Sequence, residues 1–125
     1  MISMLAPASA GLFYFGLGIT ALVKPTTLLS GFGLPAQSLD ARNEVRAVYG
    51  GFLIAVAALV MRSLTGAEQA NGILLAVAVA SLGMALERLV SALVDGGIGQ
   101  LPAFYIGVEL SLAAMLAAGT PLSAY

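Results

Sequence analysis

Five ionisable side chains stand inside otherwise apolar stretches: Glu44, Arg46, Glu87, Arg88 and Glu109. Tyr49 follows Arg46 by three residues and Tyr105 precedes Glu109 by four, so on α-helices each pair is expected to share a face. These types suit two kinds of chemistry. A guanidinium fork can hold a carboxylate or another anionic head group, and a desolvated carboxylate can carry a proton. The rest of the toolkit is absent. With no cysteine, histidine or tryptophan, thiol chemistry and imidazole ligands or bases are excluded. Any metal site would need carboxylates alone. No nucleophile–base pair and no phosphate-cradling glycine loop is present, so no cofactor is indicated.

The surrounding chain must hold these charges in place. Of its 125 residues, 60% are hydrophobic and only 9% are charged, and the mean hydropathy is +1.02. A water-soluble domain carries charge on about a quarter of its residues, so lipid is the expected solvent and the bilayer the first expected partner. The net charge is −1 and no basic patch exists, which argues against nucleic acid.

Apolar runs place four transmembrane helices at approximately 4–23, 41–61, 69–94 and 102–118. Pro7 suits a first helical turn. Lys24 and Pro25 end the first span. Residues 26–39 form a connector broken by Ser30, Gly31, Gly33 and Pro35, and Ser38 or Asp40 can cap the second helix. Asp95-Gly96-Gly97 ends the third, and Gly119 and Pro121 end the fourth. The N-terminal stretch lacks a basic leader region and is long enough to span, so it does not read as a signal peptide. Short connections make the fold an all-α, up-down four-helix membrane bundle in a single domain, 1–125.

Both termini then lie on one side. The opposite side, called side A below, carries the first and third connections. That side carries Lys24 and Arg42, with Arg46 and Arg88 close by. The positive-inside rule places side A in the cytoplasm and both termini outside.

The same topology gathers the five charges. Arg46 and Glu87 should lie roughly 8–12 Å inside side A, with Glu109 as deep or slightly deeper. A charge at the bilayer centre costs about 2.5–3.5 kcal/mol on insertion scales, which pairing reduces. Two arginines leave one of three carboxylates over. Glu109, with no basic residue within a turn, is the one expected to lack an arginine and keep its proton. The cluster serves either as a polar knot fixing helix register or as the lining of a ligand site or proton path.

Small residues let helices approach in lipid. Ala47, Gly51 and Ala55 form one stripe, Ala103, Gly107 and Ser111 another, and the first helix has Gly11, Gly16 and Gly18. Packing inside the bundle is the expected use. Gly107 and Ser111 lie on a different face from Glu109, which gives the fourth helix two protein-facing sides. Phe13, Tyr14 and Phe15 are expected to face lipid.

The segment Ala41 to Phe52, ARNEVRAVYGGF, resembles the signature of a family of small four-helix bacterial membrane proteins of unknown function, the DUF4345 type. The matching residues are Glu44, Val45, Arg46, Tyr49, Gly50 and Gly51. The segment from Gly83 to Arg88 resembles the family's third-helix glycine and arginine, and Glu109-Leu110 its fourth-helix acidic residue. The resemblance implies the four-helix fold and a bacterial inner membrane. It adds Gly50 and Gly83 to the packing glycines, and it implies no activity.

The expected function is therefore non-enzymatic. An accessory or assembly subunit of a larger membrane complex is the first expectation, with partner subunits or a homo-oligomer. A binder or transporter of a small, anionic ligand at the Glu/Arg cluster is the second. An enzyme would have to work with carboxylates alone.

Overall fold

The computed structural model describes residues 2–35, 38–66 and 68–120, and these are helical, without strands. Helix α1 runs from Ile2 to Val23, followed by a short α2, Pro25–Ser30. The second span is composite: α3, Leu39–Val45, a π-helical segment, Arg46–Gly51, and α4, Phe52–Ser63. Helix α5 is Ala70–Asp95 and α6 is Gln100–Ala118. Four spans, 4–23, 39–63, 70–95 and 100–118, are long and apolar enough to cross a membrane. They form the expected all-helical bundle, and its outer face is apolar. Leu12, Phe15, Val79 and Leu93 are among the large side chains exposed on it, where lipid rather than water is the compatible solvent.

Local chemistry sets the breaks. Pro25 has no N–H to continue α1 and begins α2 instead. The Ser38 hydroxyl accepts from the Ala41 N–H and caps α3. Gly96 (φ 72°) closes α5 in the left-handed conformation, and the Gly97 N–H reaches the Ala92 carbonyl. Gly119 lies just past α6, whereas Pro121 falls outside the described residues. Pro7 departs from the expectation. The helix already begins at Ile2, so the proline sits inside it, buried, where its ring fits against Gly119.

Packing is uneven along the bundle. One core joins Ala10 and Tyr14 of α1, Ala57 and Val60 of α4, Leu74 and Ala78 of α5, and Leu112 and Leu116 of α6. All four pairs lie toward the end opposite side A. A second, smaller core at side A joins Ala21 to Val45, with Leu28, Leu29 and Ala41 around them. Helix α1 packs chiefly on the composite span and α5 on α6. Between these two hairpins the side A half is looser.

Glycine also permits a close approach between α1 and the π-helical segment. A Cβ on Gly18 would meet Ile54 at 2.8 Å and the Gly50 carbonyl at 3.1 Å, and one on Gly50 would overlap Leu22. The α1–π-segment seam therefore depends on this glycine pair. The expected stripe does not form it. Ala47, Gly51 and Ala55 are exposed, and a Cβ on Gly83 or Gly107 would meet nothing within 4 Å. Replacing Gly18 with Ala should cost about 1–3 kcal/mol through overpacking, whereas Gly83→Ala, in open space inside α5, should raise stability slightly, by up to about 1 kcal/mol. Thermal unfolding in detergent measures both. Equal melting of the two variants would contradict the assigned seam.

Candidate functional site

The charges sort into one partly buried pair and three outliers. Arg88 Nε lies 3.0 Å from both Glu109 carboxylate oxygens, and Nη2 lies 2.8 Å from Oε1. The Glu109 side chain is 5% exposed and the Arg88 side chain 25%. The Tyr105 ring lies beside the guanidinium, 5.6 Å from Cζ to the ring centroid, near enough for cation–π attraction. At 1.5 Å per residue, Arg88 is about 10 Å from the end of α5 and Glu109 about 14 Å from the start of α6.

This assignment corrects the expectation that Glu109 would lack an arginine. Glu87 neighbours Arg88 in sequence, but consecutive helical residues do not face each other. Glu87 and Glu44 are exposed, and no ion pair joins either to the Arg88–Glu109 pair among the described residues. Arg46 is also apart from it. Its Nε donates to the Leu22 carbonyl at 3.0 Å, one of the terminal carbonyls that α1 leaves without a helical partner. A cation there also complements the helix dipole.

The π-helical segment explains why Arg46 and Tyr49 part company. The Phe52 N–H bonds to the Ala47 carbonyl, five residues back. This wider turn rotates the face that α-helical spacing predicts. Arg46 serves α1, while Tyr49 turns toward the ion pair.

Tyr49, Tyr105, Arg88 and Glu109 line one cavity of about 440 Å³ in the loose side A half. Its walls come from every long helix: Phe13, Tyr14 and Leu17 on α1, Val48, Phe52 and Leu53 on the second span, Met84 on α5, and Val108 and Leu112 on α6. Leu28, Leu29, Phe32 and Leu34 of the first connection close it toward side A. The Phe32 ring packs on Tyr105, with ring centroids 5.5 Å apart. Val48, Tyr49 and Phe52 on one side and Met84 on the other are exposed, so the cavity opens on the apolar outer face, between the second span and α5. The volume falls within the range of small-molecule sites, roughly 300–1,000 Å³.

Sequence reasoning missed one polar contact. Tyr14, expected to face lipid, is 3% exposed. Its hydroxyl bonds Ser81 Oγ, and the Ser81 hydroxyl also donates to the Val77 carbonyl. The link ties α1 to α5 at the cavity's inner end. The signal was Ser81 itself, seven residues before Arg88 and therefore close to its face. No cluster of carboxylates able to hold a metal exists among the described residues.

Gly107 and Ser111 do not pack within the bundle. They line an outer groove between α1 and α6, with Ser9, Phe13, Phe104 and Met115. The Ser111 hydroxyl donates back to the Gly107 carbonyl at 2.7 Å.

The family model for a domain of unknown function, DUF4345, matches residues 4–119. No curated protein and no solved structure matches the chain.

Removing one member of a buried ion pair leaves an uncompensated charge. Arg88→Met alone, or Glu109→Leu alone, should therefore destabilise the bundle by about 3 kcal/mol or more. The double variant should lose less than either single one. Unfolding of all three in one detergent is the check, and additive losses would contradict a coupled pair.

Proposed function

The chain belongs to the DUF4345 family, a domain of unknown function, and on that footing we propose that it binds a lipophilic small molecule dissolved in the membrane. One observation carries the reading: a cavity walled by apolar and aromatic side chains, with an ion pair on its inner wall, opens on the apolar outer face of the bundle. An apolar pocket with a few convergent polar groups is the usual form of a small-molecule site. The ion pair orients the ligand's polar end while the walls accept its body. This role is non-catalytic: the site offers recognition and shelter from the bilayer, and four helices suit a binding protein better than an alternating-access carrier, which usually has internal repeats.

The outer groove favours a second reading, an accessory subunit of a larger complex. Gly107 and Ser111 leave the α6 backbone accessible there, as small residues do where transmembrane helices meet. Native mass measurement of the gently extracted protein separates the two. Binding predicts small molecules retained by the wild type and by Val79→Trp on the lipid face, but lost from Met84→Trp, whose larger ring fills the cavity. A subunit role predicts additional polypeptides instead. Equal retention of the same small molecules by both tryptophan variants would refute the cavity as the site.

For topology we place the chain in a bacterial inner membrane with side A facing the cytoplasm. Lys24 and Arg42 at that end support this by the positive-inside rule. The chain has no cysteine, so a single Gly97→Cys substitution in the third connection reports the side directly. An impermeant thiol reagent applied to intact cells should leave it unlabelled. Labelling without lysis would reverse the orientation.

A further inference from the structure

The cavity's polar wall is electrically closed. Glu109 engages Arg88 through both carboxylate oxygens, so the two charges cancel where they face the ligand. Glu87 adjoins Arg88 in sequence but is exposed and takes no part in the cavity lining. The other basic residue expected at this depth, Arg46, is engaged with the Leu22 carbonyl. An anion in this cavity would find no spare positive charge. A cation would find a carboxylate already occupied.

Hydrogen-bond donors are nevertheless left over. Arg88 uses Nε and Nη2 on Glu109, and Nη1 has no partner among the described residues. The hydroxyls of Tyr49 and Tyr105, which also belong to the cavity lining, have none among the described residues either. Tyr14 is different, because its hydroxyl is committed to Ser81. A guanidinium offers donors only. The complementary group is therefore an acceptor without formal charge.

We infer, resting on the cavity reading above, that the site selects an uncharged lipophile whose polar end is a hydrogen-bond-accepting carbonyl. The carbonyl oxygen accepts from Arg88 Nη1 and from a tyrosine hydroxyl, and the ion pair stays intact throughout. Phe52, Phe32 and Met84 contact the apolar body. This departs from the anionic ligand that two arginines in the sequence suggest, because only one arginine reaches the cavity and its charge is already neutralised.

Three probes with matched chains test it: methyl palmitate, palmitic acid above its pKa, and hexadecylamine below its pKa. Binding is measured to the intact protein in lipid nanodiscs, with ring-labelled tyrosine signals locating the ligand. The ester should bind about tenfold or more tightly than either charged probe, since each would bring an unpaired charge into lipid. It should shift the signals of Tyr49 and Tyr105 more than that of Tyr14. Tyr49→Phe combined with Tyr105→Phe keeps the rings and the ion pair, and should weaken the ester while leaving the charged probes unchanged. Tighter binding of the acid or the amine at these tyrosines would overturn the neutral-acceptor inference and leave the cavity reading standing. Failure of all three to bind would overturn both.

Discussion

A charge within hydrocarbon is costly unless it is paired or can reach the interface, and pairing is how Arg88 and Glu109 meet that condition. The pair joins α5 to α6 well inside the second hairpin. Because Glu109 is almost fully buried, α6 cannot rotate without exposing a carboxylate to lipid. A packed apolar core could have held the same helices together. What the ion pair adds is a polar wall in a half of the bundle where the apolar core is small and does not reach α5 or α6.

The two ends of the molecule divide the work. Away from side A, small and branched apolar residues bring all four spans into contact. Toward side A the hairpins separate, and the first connection folds over the gap. The π-helical segment belongs to this arrangement. Its wide turn lets Arg46 secure the end of α1 while Tyr49 points into the opening. Gly18 and Gly50 keep that seam close enough for the bond to Leu22.

Much of the frame could be read from the sequence, because long uncharged apolar runs with short connections allow few other folds. The ionisable residues were also visible, since their cost in lipid singles them out. Their pairing was not. Three glutamates compete for Arg46 and Arg88, and the winner depends on helix rotation, which α6 does not encode through any apolar stripe. Its charged and small residues lie on different faces, and its flanks are apolar all round. The π-helical turn was hidden for a related reason: Arg46 to Gly51 contains nothing that α-helical spacing forbids, and only the bond from Phe52 to Ala47 reveals it. The cavity was least legible of all. It is a lack of contact between helices, and sequence patterns record contacts.

The claim that matters most is that this gap holds a molecule drawn from the membrane. A photoreactive methionine analogue at Met84, irradiated in native membranes, tests it most directly, with Gly83 on the outer face as the comparison site. The account predicts a defined small-molecule adduct at position 84 that differs from the mixture of bulk lipids captured at position 83. The same lipid mixture at both positions would contradict it, leaving the opening as an ordinary lipid-filled crevice.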